Sequence, residues 1–404
     1  MTCALPLSPS ARLDLAGVQT YIYPPLFILA INPGGGSTKV GVYRNLRPVF
    51  EENIRHSPEE LRRLPRILDQ FELRRNAVLS SFCDNDFDPA LLDAVVARGG
   101  TLKPLPGGVY RITRKVVDDI RAGRVQTMHP SLLAPLIAFD LAAMFGKPAW
   151  FVDPESLDEF WELSRLSGLP EVPRRALSHA LSVKTVARQA AQKLGRPYER
   201  CNFVVAHLGT GITIAAHLKG RQVDASNANE DGPMAPQRSG ALPAEGLIGL
   251  ALEGLGRKSK VRSRKSECLP VEEWRSAVSS RRLAVLDRVQ RHGGLLAYLG
   301  TDDISKIEAR IDQGDGKAKL VYDAMVYQIA KEIGAYSVVL KGRLDAIVLT
   351  GGMTLSRRLV RQLKIWIRHL ARRVIVFPGE EEMRALVSAV LRLRNGLEKE
   401  RTYE

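Results

Sequence analysis

The sequence predicts an α/β protein built on one supersecondary unit that occurs twice. From Phe203 an apolar run enters a glycine turn and returns as alternating Ile212, Thr213, Ile214 and Ala215 (FVVAHLGTGITIA), the pattern of a buried strand, a tight turn and a second strand. From Leu26 the chain repeats the pattern (LFILAINPGGGSTKVGV). With Ile28 placed over Phe203, Asn32 falls over His207, Gly34 over Gly209 and Gly36 over Gly211. Segments of helical period alternate with short apolar runs through the rest of the chain.

Glycines at the tip of such a hairpin have two readings. They serve a turn that needs positive φ, or they clear β-carbons from a row of backbone N–H groups so that phosphate can approach. Around the first turn, Asn32, Ser37, Thr38 and Lys39 add the donors and the charge a polyphosphate requires, and two such turns facing each other suit its opposite ends. GxxxxGK[ST] is absent and the returning segment alternates like a strand, so this is not a Walker A loop. After the second hairpin, Asp224, Asn227, Asn229, Glu230 and Asp231 lead to Gly232-Pro233, Pro236 and Arg238-Ser239-Gly240, a segment too rich in turn formers for helix or core. Arg238 is there either a solvated loop charge or, next to acids able to hold a metal, a cation aimed at a phosphoryl group in transfer.

In chain order, residues 1–25 lack a basic n-region followed by an unbroken apolar core and are read as a weakly ordered extension rather than a secretory signal. Residues 57–79 have helical periodicity and open with a capping box, Ser57 and Glu60. Residues 88–97 read as a second, short helix. Arg98-Gly99-Gly100 and the stretch from Lys103 to Gly108 form a basic, glycine-rich loop whose simplest reading is a connector. His129-Pro130 precede an apolar helix over 131–145. The strand 149–152 then delivers Asp153 at its carboxyl end, where open α/β sheets place ligands.

Residues 155–167 read as helix, and Arg174-Arg175 with His179 begin a helix running to Leu194; a lone histidine there reads by itself as a satisfied structural group. Residues 256–273 form a basic, polar surface loop. Residues 274–292 read as helix, 295–303 as a strand with an acidic turn, and 317–341 as a long helix. The strand 346–350 meets Gly351-Gly352 and a basic amphipathic helix, offering a nucleotide both close backbone approach and a helix N-terminus. The run 374–377, the acidic Glu380-Glu381-Glu382 and a helix over 383–397 close the chain.

At 404 residues, 45% hydrophobic and 25% charged, the chain has the composition of a soluble protein of two or more domains. A net charge of +15 raises a nucleic-acid partner, but the basic residues are scattered apart from clusters such as 257–265 and 357–373, and only 6% of residues are aromatic. Anionic substrates or a basic proteome account for the charge as well. Cys3, Cys83, Cys201 and Cys268 lack CxxC spacing, which fits reduced thiols in the cytoplasm. The apolar run 132–145 is interrupted by Pro135 and Asp140 and falls short of a membrane span.

The motifs INPGGGSTK, HPSLLAPLIA, FVDP, PRRALSHALS, AHLGTGITIAAH, GPMAPQRSG, YLGTDD, IVLTGGMTLS and VFPGEEEM, in this order, resemble butyrate kinase. That family lies in the acetate and propionate kinase branch of the superfamily joining sugar kinases, heat-shock chaperones and actin, and the resemblance runs from about Leu26 to the C-terminus. It implies two RNase H-like (actin-like ATPase) domains with a nucleotide cleft between them, drawn here as 26–153 and 154–384, with the last helix (385–404) packing back on the first domain. It also implies reversible, Mg²⁺-dependent phosphoryl transfer between ATP and a short-chain fatty acid, giving ADP and an acyl phosphate. On this resemblance butanoate is the first substrate to expect and a cytoplasmic homo-oligomer the expected assembly; the scattered basic residues and the interrupted apolar run lead us to expect neither a nucleic-acid nor a membrane partner.

Carried over by position, Asn32 and the loop to Lys39 resemble the first phosphate motif, Asn32 also lying by the metal. His207, Gly209, Thr210 and Gly211 resemble the second, and Asp303, Gly351 and Gly352 the adenosine region. Arg238 matches the active-site arginine, His179 the histidine after paired arginines, and Asp153 the carboxylate after the central strand. A substrate carboxylate is already ionised near pH 7, so Asp153 suits anchoring Mg²⁺ or water better than accepting a proton. Lys103 is the match for the substrate-side cation, with Arg98 the alternative. Either Glu381 or Glu382 fills the late metal-associated acidic position.

Four departures bear on the substrate: HPSLLA where butyrate kinases carry HASNLG, Thr210 in place of glycine, a shorter acidic loop before Gly232, and a basic insertion at 257–273. Acetate, propionate and branched acids therefore stay open as substrates, as does an inactive ATP-binding regulator on the same fold.

Overall fold

The structure, a computed structural model, describes the backbone of residues 10–13, 19–22, 24–253 and 271–404 and the side chains of 24–253 and 279–404. Most of the expected extension at 1–25, and the basic loop at 256–273 up to residue 270, lie outside the described residues. The strands in chain order are β1 (Ser10–Leu13), β2 (Gln19–Ile22), β3 (Phe27–Pro33), β4 (Ser37–Arg44), β5 (Arg47–Arg55), β6 (Ala94–Arg98), β7 (Val109–Arg111) and β8 (Ala149–Val152). They continue with β9 (Asn202–Leu208), β10 (Ile212–Leu218), β11 (Arg221–Ala225), β12 (Ala346–Thr350), β13 (Val374–Val376) and β14 (Glu400–Arg401). Strands β1 and β2 form a separate antiparallel pair.

The chain divides into two compact units, Met1–Thr185 with Glu380–Glu404, and Val186–Gly379. The first unit carries a seven-stranded sheet in the order β14-β7-β8-β6-β3-β4-β5, the second a five-stranded sheet in the order β11-β10-β9-β12-β13. In the first unit β3, β4 and β5 form an antiparallel meander, and β6 and then β8 add in parallel to β3. In the second unit β9, β10 and β11 repeat the meander, and β12 and β13 add in parallel to β9. This is the RNase H-like arrangement, present twice. The two hairpins differ in register by one residue, since Asn32 faces Lys39 whereas the aligned His207 faces Thr213.

The central strands of the first unit are apolar without alternation because helices cover both faces. Leu29, Ile31, Val95, Ala97 and Phe151 pack with the helix Leu133–Phe145, which Gly146 ends at φ 65°. Ile28, Ala30, Val96, Trp150 and Val152 pack with the helix Glu382–Arg394. In the second unit the helix Gly316–Val339 buries Val321, Met325, Ile329 and Ile333 and contacts β9, β10 and β11.

Five expected elements differ. The helix expected from Arg174 begins only at Ala180. The helix over 57–79 is broken into Pro58–Arg63, a 3-10 turn Ile67–Gln70 and Phe71–Asp84, because Pro65 removes a backbone donor between them. The short helix at 88–97 is a 3-10 turn, Pro89–Leu91, followed by β6, where Val95 and Val96 are enclosed between β3 and β8. Only Glu162–Arg165 is helical within 155–167: Ser156 O accepts from Leu105 N and Asp158 N donates to Leu105 O, so this backbone pairs with another loop instead of with itself. The strand at 295–303 is the helix Gly294–Leu299, a short apolar run whose period cannot choose between helix and strand.

Candidate functional site

In the second unit β9 and β12 lie side by side in parallel, with Thr350 opposite His207, which is buried. The turn 209–211 and the pair Gly351, Gly352 therefore open at the same edge of the sheet, at the carboxyl ends of adjacent parallel strands. Gly351 has φ +96°, and a β-carbon on it would stand 2.3 Å from the Leu208 carbonyl oxygen, so only glycine fits. Gly351 N donates to Gly379 O (3.0 Å) and Thr354 Oγ1 donates to Gly351 O (2.6 Å), fixing the turn from behind. Gly352 is exposed, with no atom within 4 Å of its β-carbon position.

Arg238 comes to this edge from the turn-rich loop. Its Nη1 donates to Ala228 O (2.8 Å), and a β-carbon on Gly211 would stand 2.5 Å from its Cζ. The loop is held on both sides: Gln237 N donates to Thr210 O (3.3 Å), Gln237 Nε2 to Asp302 (2.6 Å), and Gly293 N to Gln237 O (2.9 Å). Gly240, at φ +69°, closes it, with Ala241 N donating to Gly232 O (2.9 Å). Asn227 gathers the acids expected near a metal, its N–H donating to Asp231 (2.6 Å) and its amide to Glu230 (2.8 Å).

In the first unit Asn32 is the last residue but one of β3, Arg98 ends β6 and Asp153 follows β8, again at the carboxyl ends of parallel strands. Asn32 Nδ2 donates to Glu382 Oε2 (2.7 Å), Arg98 Nη1 lies 3.3 Å from the same oxygen, and Ser182 Oγ donates to Glu382 Oε1 (3.0 Å). Arg98 Nε reaches Glu155 at 3.0 Å. Burial pulls the Arg98 pKa down, but the charges of Glu382, Glu155 and Glu380 together raise it above the ordinary arginine value. Asp153, buried with φ +34°, accepts from Gly108 N (2.8 Å), while Glu159 accepts from Gly107 N (3.1 Å) and pairs with the buried Lys184 (2.9 Å). The stretch read as a connector is thus pinned by two carboxylates.

The first glycine turn is held from below by Arg74, which is fully buried. It donates to Gly35 O (2.9 Å), Ser37 O (2.8 Å), Thr38 Oγ1 (3.2 Å) and Gln70 Oε1 (3.0 Å), and burial lowers its pKa to about 10. Thr38 is buried against His56 Nε2 (2.9 Å), and Lys39 stands 3.8 Å from Glu380.

Other expected residues lie elsewhere or in different surroundings. Lys103 stands 3.8 Å from Asp119 and over the Tyr403 ring (4.3 Å), whereas Arg98, its alternative, joins the Asn32–Glu382 group. Glu381 is exposed and faces Arg384 (3.7 Å), so of the two acids Glu382 is the one turned inward. Asp303 is the N-cap of the helix Ile304–Asp312, accepting from Ser305 N (2.9 Å) and Lys306 N (3.3 Å). His179 is half-buried just ahead of the helix Ala180–Lys193, its carbonyl accepting from Val183 N.

Sequence reasoning missed Arg74, His56, Glu155 and Ser182. Arg74 alone left a signal, as a charge on the stripe of Val78, Ser81 and Phe82 that the helix Phe71–Asp84 buries. Among the described residues no group of three or more His, Cys, Asp or Glu is arranged to hold a metal, and none of the helices is long and apolar enough to cross a membrane.

The profile of the Acetokinase family matches residues 171–244 and 277–374, which include the second hairpin, Arg238 and the Gly351 turn. Over these segments the chain is similar to that family. Similar solved structures include the acetate kinase of Porphyromonas gingivalis (19% identity, TM-score 0.65, 91% of this chain and 99% of that one). A propionate kinase from Francisella tularensis subsp. tularensis (18%, 0.61, 90% and 98%) and the acetate kinase of Entamoeba histolytica (15%, 0.64, 90% and 98%) are two more. At these identities the likeness is one of fold, an α/β chain that carries the RNase H-like sheet twice.

Proposed function

We propose that this chain is an ATP-dependent carboxylate kinase, transferring a phosphoryl group between ATP and a short-chain fatty acid, butanoate in preference to acetate, propionate or a branched acid. The observation that carries this reading is Arg238 against Gly211 at the carboxyl end of β9, within a segment matched by the Acetokinase profile. The fold neighbours named above, acetate and propionate kinases, support a carboxylate as acceptor. A cytoplasmic homo-oligomer is part of the same proposal.

The donor set fits a nucleotide. The turn 209–211 presents an exposed Thr210 between two glycines, the space over Gly352 is open, and Arg238 supplies a fixed charge with a planar fork of donors. ATP carries the transferable group, and Mg²⁺ lowers the charge repulsion between phosphate and carboxylate. Asn32, with its amide fixed by Glu382, is the residue we assign to Mg²⁺ through water, in keeping with a cation that takes one or two protein ligands and otherwise phosphate oxygens and water.

Arg238 then acts where charge spreads over the equatorial oxygens, and Gln237 and Asn227 keep its loop in place. Asp153 holds the Gly108 backbone, and Arg98, next to Asn32, is the cation we place nearest the carboxylate in preference to Lys103. His179 is the remaining donor we assign to the transferring group, and no residue need remove a proton from an ionised acid.

The test is trapping of acyl phosphate by hydroxylamine with ATP and Mg²⁺ over acetate, propionate, butanoate and isobutanoate. The highest kcat/KM is expected for butanoate. A maximum at another acid would reassign the substrate, and ATP binding by calorimetry with no hydroxamate from any acid would leave an ATP-binding regulator.

A further inference from the structure

The second unit carries a groove of about 780 Å³ between the helix Arg357–Ile367 and β13. It starts at Thr354 and follows the helix to Arg368. One wall is a row of four cations, Arg357, Arg361, Lys364 and Arg368, spaced at the three- and four-residue intervals that place side chains on one helix face. Eleven residues of helix make the row about 16 Å long. The floor is apolar, made by Val360, Ile365, Val374 and Val376.

Helix stability explains only part of the row, since Lys364 and Arg368 suit the negative end of the helix dipole. Like charges at these spacings repel by a few tenths of a kcal/mol per pair, and Arg357, in the first turn, meets the positive end of the helix dipole. Among the described residues none of the four is paired with a carboxylate. Arg358, one position along on another face, is paired with Asp312. The counter-charge missing from this face is what an anionic ligand would supply.

We propose that the groove binds a small organic phosphate carrying an apolar group, with its phosphates along the arginine and lysine row and its apolar part on Val360, Ile365, Val374 and Val376. Arginine suits phosphate because its fork of donors matches two oxygens at once. The volume is that of a small-molecule site. Single-stranded nucleic acid is disfavoured because no aromatic ring lines the groove; Trp366 instead packs against Tyr327 at 5.6 Å. The site rests on residues outside the proposed phosphoryl-transfer machinery and stands or falls separately from it.

Calorimetric titration of the full chain with pyrophosphate and with geranyl diphosphate tests the proposal. The apolar-tailed diphosphate should bind at least about tenfold more tightly than pyrophosphate. Arg361→Glu/Lys364→Glu/Arg368→Glu should weaken it at least about tenfold, and Ile365→Asp, at an exposed position, should remove its advantage over pyrophosphate. Circular dichroism and hydroxamate formation should be unchanged in both variants. If the triple variant fails to fold, Arg361→Ala/Lys364→Ala replaces it and should still weaken binding severalfold. Binding unaffected by these changes, equal affinity for pyrophosphate, or sensitivity seen only with an oligonucleotide or polyglutamate would each overturn the proposal.

Discussion

The guanidinium of Arg238 occupies the space that a β-carbon on Gly211 would need, 2.5 Å from Cζ and from Nη1. Gly211 is not among the glycines with positive φ, so the turn's backbone conformation does not account for it; a β-carbon there would meet the guanidinium of Arg238. Gly211→Ala should therefore displace Arg238 and lower kcat by roughly 10-fold or more, because small misplacements of a positioned group cost orders of magnitude. In a double-mutant cycle with Arg238→Ala the two losses should not add. Additive losses in the hydroxamate assay would show that Gly211 acts through something other than Arg238.

Arg238→Ala itself should lower kcat by roughly 10³-fold with little change in KM for ATP, since a charge acting mainly in the transition state leaves ground-state binding alone. Arg238→Lys should recover only part, because a point charge replaces a planar fork. Steady-state kinetics of the purified, folded variants decide it: a loss under about threefold would return Arg238 to a solvated loop charge.

Glu381 and Glu382, ambiguous by one position in the sequence, should separate by experiment. Glu382 accepts from Asn32 and Ser182 and balances Arg98, so Glu382→Gln should cost roughly 1–3 kcal/mol in urea unfolding and raise the Mg²⁺ concentration needed for half-maximal rate. Glu381→Gln, at an exposed side chain facing Arg384, should change neither. The reverse result would place the metal on the outer acid.

His56 should make stability depend on pH. Burial, and next the Arg74 charge, lower its folded pKa below the ordinary 6.5. As pH falls through about 6.5 the unfolded chain takes up this proton first, so stability present above that pH is lost below it. Urea unfolding between about pH 7.5 and pH 5.5 should show a smaller acid loss for His56→Gln than for the wild type. An identical slope would mean that His56 titrates alike in both states.

Much of this arrangement is legible in the chain itself. Both glycine hairpins are legible because a strand pair and its turn are local: period, turn chemistry and a run of buried apolar residues are all written within about twenty positions, although the one-residue difference in their registers is not. The strand Ala149–Val152 and the strand, glycine pair and helix from Ala346 are legible for the same reason.

Elements that depend on distant partners are not. Strand β6 was hidden in an apparent helix because Val95 and Val96 are strand residues only between β3 and β8, and 155–167 lost its helix to hydrogen bonds with Leu105. The sequence by itself determined the duplicated α/β unit and the candidates Asn32, Asp153 and Arg238. Tertiary structure alone decided that Arg98 rather than Lys103 meets Asn32, that Glu382 rather than Glu381 turns inward, and that buried Arg74 holds the first turn. The physical reason is that hydrogen-bond partners dozens to hundreds of residues apart leave no periodic trace in either segment, and only the folded sheet brings the carboxyl ends of its parallel strands together.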